Sequence, residues 1–582
     1  MVCSNETARP NQGGADIERK TELKQLSAAQ QAKADRIRAQ KQDKAAEVAA
    51  KKAERKAKKL AQQADGSSSE QGPPDRFLKR DWHSVHDAKD VTVNGKTVSI
   101  LSWNMLAQAL VRRELFPGSD FLKVKDRVPQ LMKEVLHYDP DIACLQEVDR
   151  LGDHLPSLSK SHGHTSFIGY ADKPHGLLIA HKTSVFDKVG HRGIRLDELP
   201  IKDDLPLSFN EVITDSIEDG IDVDKSTAHV PVLDETPDGR ERTRRATGLS
   251  RCTRNVGLFV ALKFKDSSDG IIVGTTHLFW HPKHVYERVR QTGILIREAQ
   301  RFRREGGDGA WREWPLVLAG DFNAQPVEAT YRILMGIDLT DEQKKELARS
   351  TVIHKTVDDL YKPEWERPLA DQQQTDTGTS TPREANDSNR QSDVGEGDED
   401  ESQQATPDEE DEDKVIKNCR LATQEDGLAS LEDLVTLIRG QNAEDGERPI
   451  SAYGQIGGLL PSEKGKQYGD RDSGVYSGET GTVVDSRDDA LEGTPDQETR
   501  IKHGHYEPMW TNFTPLWRLA IDYIFLLPPE DTSSNKPRPI FKALLSTHST
   551  ETLGSGLPKM GISASDHVAI GARLVIPLQN ED

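Results

Sequence analysis

The chain has 582 residues, of which 34% are hydrophobic and 5% aromatic, and a formal net charge of −20. A composition that polar implies one large folded domain joined to much chain that buries no core. The longest apolar runs, such as Ile521–Leu527, are far too short to cross a bilayer, and Met1–Gly14 has no apolar stretch of the kind a secretory signal needs.

Charge is unevenly spread. Asp371–Asp413 carries sixteen acidic and two basic residues, whereas Glu18–Lys59 carries six acidic and fourteen basic. The net charge is therefore uninformative about the field at any one site, and a nucleic-acid ligand is not excluded. Cys3, Cys144, Cys252 and Cys419 lie far apart with no C-x-x-C pair, which reads as free thiols in a reducing, intracellular compartment and argues against zinc or disulfides.

In chain order, residues 1–75 read as a disordered or solvated Ala-rich, basic tail. Its run Lys51–Lys59 suits a nuclear address or an RNA-touching arm as well as it suits plain solvation. Order is expected from Phe77. Val91–Val93, Asn94-Gly95 and Lys96–Ser102 form a hairpin pattern, because Asn-Gly readily takes the positive φ of a tight turn. Val128, Leu131, Met132, Val135 and Leu136 fall at helical spacing, and Asp139-Pro140 ends that helix. Strand-like runs follow at Asp141–Leu145, Leu177–Ala180, Val256–Phe264, Ile271–Thr275 and Leu316–Ala319, with a helix from about Pro282 to Arg304 before the last. Strands alternating with helices indicate an α/β domain over 77–578. Three stretches interrupt it: a polar loop 210–250, a disordered acidic insertion 363–424 and a polar loop 462–500. Between the last two, Leu428, Leu431, Val435 and Ile438 read as one helical face.

Six polar signatures stand at or near the ends of apolar runs: Ser102-Trp103-Asn104, Leu145-Gln146-Glu147, Thr276-His277-Leu278, Gly320-Asp321-Phe322-Asn323, Ile521-Asp522-Tyr523 and Ser565-Asp566-His567. Carboxylates for a hard cation, amides for a phosphate and histidines for proton work make a phosphodiester-cleaving set. Glu147, closing a buried strand, suits a Mg²⁺ ligand or an ordinary helix cap. Asn104 can orient a metal-bound group without adding charge, although an Asn after a strand is also a common turn residue. Asp321 and Asn323, two apart, would share one side of an extended chain, and Gly320 would let the backbone approach a ligand. His277 suits a donor to a non-bridging oxygen. His567 suits a base, with Asp522 either fixing its tautomer or pairing with Arg518. Asp566 would face a metal or a phosphate. The helix near Pro282–Arg304, with Arg288 among its arginines, suits either RNA guidance or a solvated basic face.

The ordered set resembles the endonuclease/exonuclease/phosphatase superfamily. Ser99–Leu106, Leu145–Asp149 and Thr276–Trp280 are similar to its deadenylase branch, which includes nocturnin and angel. Thr276–Pro282, with Glu287-Arg288 and Arg290-Gln291, is similar to the fungal Ngl-type RNA exonucleases. The resemblance covers about residues 77–340 and 425–578. It implies a four-layer sandwich, two packed mixed β-sheets flanked by helices. It also implies Mg²⁺-dependent hydrolysis, with Mn²⁺ as an alternative ion, in a 3′-to-5′ exoribonuclease that trims RNA 3′ ends such as those of 5.8S ribosomal RNA precursors. Carried over by position, Glu147 and Asp566 are the metal residues, with Asn104 beside Glu147. Asp321 and Asn323 orient nucleophile and phosphate, His277 binds the transition state, Asp522 orients His567, and Asn255 lies near the substrate. His281 stands where deadenylases carry an acidic residue, which weakens poly(A) selectivity as a reading. The partner class is single-stranded RNA 3′ ends, with no membrane and no leucine-rich segment for docking to a deadenylase complex. Nucleus, nucleolus and cytoplasm all remain open as compartments. A poly(A) deadenylase, a nucleotide phosphatase and a catalytically silent RNA-binding scaffold are the competing readings.

Overall fold

Short runs rich in Val, Ile, Leu and Phe pair into two mixed β-sheets that pack face to face, with helices against both outer faces. The computed structural model describes residues 77–85, 95–170, 173–202, 209–214, 226–231, 253–349, 352–354, 419–422, 428–440, 448–458, 497–504, 506–529 and 537–578. The basic tail, Val91–Val93 of the expected hairpin, the acidic run Asp371–Asp413 and residues 462–496 lie outside the described residues.

The first half of the chain supplies β1 (Trp82–Ser84), β2 (Gly95–Asn104), β3 (Ile142–Val148), β4 (His162–Phe167), β5 (Gly176–Lys182), β6 (Phe186–Arg195), β7 (Phe209–Thr214), β8 (Ser226–Pro231), β9 (Val256–Phe264) and β10 (Gly270–His277). The second half adds β11 (Leu316–Asp321), a small pair β12 (Val352–His354) and β13 (Cys419–Leu421), then β14 (Ile450–Ser451), β15 (Asn512–Phe513), β16 (Arg518–Leu519), β17 (Asp522–Leu527), β18 (Ile540–Leu545) and β19 (Ile570–Pro577). One sheet runs β1-β18-β19-β2-β3-β5-β4 and the other β14-β17-β11-β10-β9-β6-β8-β7. The expected four layers are therefore present. Within 210–250, expected to be loop, β7 and β8 pair and extend the second sheet. Their ladder is made by main-chain groups, which leave no apolar periodicity to read.

Each sheet has a parallel pair near its middle, β2 with β3 and β10 with β11. Parallel neighbours need a crossover, and helices supply it: α1 (Val124–Tyr138) in the first, with α2 (Leu151–Leu158) after β3, and α3 (Val285–Glu305) in the second. Helix α1 stops at Asp139, which takes a left-handed φ of 44° before Pro140. Further helices α4 (Ala329–Leu334), α5 (Asp341–Arg349) and α6 (Leu431–Arg439) join α3 on the outer face of the second sheet. Ser430 caps α6 by accepting from Asp433 N, and Leu434 and Ile438 are its buried residues.

This topology determines where chemistry can gather. Parallel strands bring their C-terminal ends to one edge. Their antiparallel neighbours β5, β9, β17 and β19 bring their N-terminal ends to the same edge.

Candidate active site

Between the sheets the strands alternate regularly, and the alternation changes character at that edge. In β2, Val98 and Ile100 are core, and the next residues of the same parity are Ser102 and Asn104. Ile142 and Cys144 lead to Gln146, Val273 to Thr275 and His277, and Val317 and Ala319 to Asp321; Leu526 and Ile524 lead back to Asp522. Gln146 Nε2 donates across the gap to Thr275 Oγ1 at 2.9 Å, so the two sheets are stitched by polar groups where the apolar core ends.

Glu147 breaks the parity, since Ala143 and Leu145 face the helices. A register shift against β5 between Leu145 and Val148, with a left-handed φ of 53° at Glu147, turns its carboxylate back toward the site. There Asn104 Nδ2 donates to Glu147 Oε1 at 3.1 Å and to Asp321 Oδ2 at 3.0 Å, bridging the sheets, and Ala107 N donates to Glu147 Oε2 at 3.0 Å. His277 places Nδ1 3.7 Å from Glu147 Oε1 and Nε2 3.6 Å from Asp321 Oδ2. Asp522 Oδ2 lies 2.8 Å from His567 Nδ1, and His567 Nε2 is 3.7 Å from Asp321 Oδ2. Arg518 instead lies over the Phe513 ring. Thr511 Oγ1 accepts from Asp522 N at 3.0 Å and Asn512 Nδ2 donates to Asp566 Oδ2 at 3.2 Å, so Thr511 and the start of β15 buttress both acids.

Asn104, Glu147, His277, Asp321, Asp522 and His567 thus form one cluster, with Asp566 beside it. Asn323 differs from the extended geometry expected of it. It lies past the end of β11 with φ 48°, its Nδ2 donates to Leu278 O at 2.9 Å, and its N–H donates to Asp321 Oδ1 at 2.9 Å. Asn255 donates from Nδ2 to His277 O at 2.7 Å and accepts from Gln291 Nε2, so it holds the His277 backbone. Arg288 is not brought to the cluster. It is fully buried, donating to His281 O, Pro282 O and Glu328 Oε2 at 2.5, 3.0 and 2.7 Å. The same holds for neighbours on α3: Arg290 donates to Leu196 O and Leu199 O, and Arg303 to Pro528 O. These arginines fasten loops to the helix, and the expected RNA-guiding role for Arg288 has no exposed guanidinium to rest on.

Electrostatics mark the cluster as short of positive charge. Burial, then the charge of Asp522, pushes Asp321 up to about 8, against the pull of His567 and of hydrogen bonds from Asn104 and Asn323. Burial also raises Asp566. For His567 burial acts downward, but Asp522, Asp566 and Asp321 outweigh it and raise it well above its ordinary value. Burial, with Lys173 and His567 adding, pushes His277 down to about 3, so it is a neutral imidazole beside Glu147 and Asp321.

The donor set fits a hard cation. Asp321, Asp522 and His567 each bring a ligand atom within 4.8 Å of the others. One atom each of Asp522 and His567 is engaged in their mutual hydrogen bond, while buried Asp522 Oδ1 and Asn512 Oδ1 have no hydrogen-bond partner among the described residues. Glu147 and Asp321 each accept one donor on either oxygen and keep further lone pairs, as oxygen coordination requires.

Two side chains join the site without a sequence signature. Lys173, pushed down to about 8 by burial, interacts with Glu147, and His175, pushed down to about 4 by burial, has its ring 6.3 Å from that of His277. The signal is topological: both immediately precede β5, the antiparallel neighbour of β3.

A sequence profile of the Endonuclease/Exonuclease/phosphatase family matches residues 101–392, half of the chain. The chain is 32% identical over 293 residues to RNA exonuclease NGL2 of Saccharomyces cerevisiae, covering 46% of this chain and 47% of that protein. It is 30% identical over 267 residues to the probable RNA exonuclease C9B6.11c of Schizosaccharomyces pombe, covering 44% and 43%. The matches span less than half the length of these relatives. A crystal structure of ANGEL2, described as a 2′,3′-cyclic phosphatase, aligns with a TM-score of 0.44 and 18% identity over 86% of this chain and all of that one.

Proposed function

Since the chain belongs to the endonuclease/exonuclease/phosphatase family, we propose that it is a Mg²⁺-dependent 3′-to-5′ exoribonuclease, releasing nucleoside 5′-monophosphates in the trimming of RNA 3′ ends such as those of ribosomal RNA precursors. The observation that carries this reading is the joining of Glu147 and Asp321 by one amide, Asn104, within reach of a His567 already paired to Asp522. RNA as the substrate class is supported by the relatives named as RNA exonucleases.

Glu147, Asp321 and Asp566 would hold a divalent ion, Mg²⁺ or Mn²⁺, which when bound supplies Lewis-acid polarisation of the phosphoryl oxygens. The chain's own groups do the rest. In the neutral form of His567, Asp522 accepts from Nδ1–H, which leaves Nε2 to take the proton of the attacking water. A water oxygen–phosphorus bond forms, the bond from phosphorus to the 3′ oxygen breaks, and that oxygen is reprotonated from solvent. Asp321, close to His567 Nε2, orients the water. His277, kept neutral, donates to a non-bridging oxygen as charge builds there without adding a proton of its own. Lys173, mostly protonated near neutral pH, adds positive charge to this acidic pocket. The buried free thiol of Cys144 suits a reducing, intracellular setting.

The test is a time course on 5′-labelled RNA with a single-stranded 3′ tail, in Mg²⁺ and in EDTA. A Mg²⁺-dependent ladder shortening from the 3′ end is expected, and Glu147→Ala should slow it by about 10²-fold or more. Intact RNA in every wild-type lane would end the exoribonuclease reading, and release of inorganic phosphate from nucleotides would replace it.

A further inference from the structure

Helix α1 carries an arginine that neither the signatures nor the reaction above uses. Arg127 is 1% exposed, yet it donates from every guanidinium nitrogen. Nε donates to Ala564 O at 2.7 Å, Nη1 to Gln108 Oε1 at 2.9 Å, and Nη2 to both Met105 O and Leu106 O at 2.8 and 2.7 Å. Its acceptors belong to two loops. One follows β2 and presents Ala107 N to Glu147 Oε2; the other leads through Ser565 and Asp566 to His567.

The first loop is held in an uncommon shape, with Leu106 at φ 54° and its N–H donating to Asn104 Oδ1. Two successive carbonyls there converge on one nitrogen of Arg127. Among the described residues, the second loop has two other side-chain hydrogen bonds to β2, Ser565 Oγ to Asn104 O at 2.6 Å and Trp103 Nε1 to His567 O at 2.9 Å. A planar fork of five donors can serve four acceptors on two loops at once, which a lysine ammonium cannot. Burial lowers the guanidinium to about 10, against the pull of Asp566, Asp149 and Glu147, so it stays charged at neutral pH.

We propose that Arg127 is a positioning residue: by clamping the Met105–Gln108 loop to Ala564, it sets Glu147 and His567 at their working separation without touching substrate. The assignment rests on the hydrolysis proposed above. In the full-length protein, Arg127→Lys should melt cooperatively and lower kcat on labelled RNA by about 10²-fold, the cost of a misplacement of about 1 Å, while KM changes by less than about threefold. Independently of activity, amide exchange at Ala107 and His567 should speed up while the core of α1 stays protected. Wild-type kcat in folded Arg127→Lys, or a loss that falls on KM, would overturn the proposal; so would unchanged exchange at both amides. If Arg127→Lys does not fold, Arg127→Gly with added guanidinium takes its place. Turnover restored by guanidinium supports the clamp, and a folded chain that stays inactive overturns it. A chain that folds in neither form makes Arg127 a determinant of the fold and also overturns it. Should wild type leave RNA intact, the RNA reading fails while the exchange comparison still decides the clamp.

Discussion

Asp522 opens β17 and His567 lies in the loop before β19, and what their pairing does to the imidazole can be measured. Asp522 is the largest of the charges raising His567 and also accepts its Nδ1 proton. Asp522→Asn removes the charge and leaves the ring free to adopt the wrong tautomer. The expected loss in kcat is about 10²–10⁴-fold. The pH profile should move as well: without the acid, His567 titrates lower, so the acid limb of kcat/KM shifts to lower pH even as the plateau falls. An unshifted limb would mean that His567 is not the group whose protonation limits the reaction. At this scale the sequence was only partly legible. A carboxylate or histidine ending an apolar run could be picked out, as at Asp321 and His277. That Glu147 points inward could not, because it depends on a register shift made by pairing with β5. The arginines of α3 misled for a related reason. Their spacing and charge are those of an RNA-binding or solvated face, and only the carbonyls of Leu196, Leu199 and Pro528, supplied by distant loops, make several of them internal fasteners.

The parallel pair of the second sheet, β10 and β11, owes its close approach at the site to Gly320. It pairs with Thr276, one step before the His277–Asp321 pair. A Cβ at Gly320 would lie 2.3 Å from Thr276 O, which is main chain and cannot swing aside. Gly320→Ala should therefore push the strands apart where His277 faces Asp321. A destabilisation of about 1–3 kcal/mol in urea unfolding is expected, with a larger proportional loss of activity in the fraction still folded. A fully stable and fully active variant would refute this account of the pair. Elements whose apolar face is complete were legible from sequence: β2, β3, β9, β10, β11 and helices α1 and α3 all show their period. The edge strand β4, His162-Gly163-His164-Thr165-Ser166-Phe167, shows none, because its order comes from main-chain pairing with β5. With β4 and β5 unrecognised as a hairpin, nothing placed Lys173 and His175 at the end of β3.

Over the whole molecule, buried titratable groups divide into two sets with opposite consequences for stability. His154, His175 and His181 are held near 4, and His277 and His548 near 3, mainly by burial. Each lies below its unfolded value of about 6.5, so their contribution is present above that pH and is lost as pH falls through the folded values. Asp321 near 8, Glu134 near 7 and the raised His567 bind protons more tightly folded than unfolded. Their contribution is lost as pH rises through those values. Lys173, near 8 when folded, opposes this trend mainly above pH 8. Between about pH 7 and 8 the histidines of the first set are mostly neutral in both states, and the second set outweighs them. Protein freed of divalent ions by EDTA should therefore melt at progressively lower temperature across that interval. The slope is about 1.4 kcal/mol per pH unit for each extra proton the native state holds. Glu134 pairs with Arg80 at 3.2 Å, away from the cluster, so Glu134→Gln should remove its share of the slope and leave that of Asp321 and His567. Divalent ion should remove the latter, because a cation among these carboxylates takes the place of the protons that otherwise relieve their repulsion. A melting temperature that stays flat or rises from pH 7 to 8 in EDTA would show that the acidic cluster holds no such protons, and the electrostatic case for a cation there would fall with it.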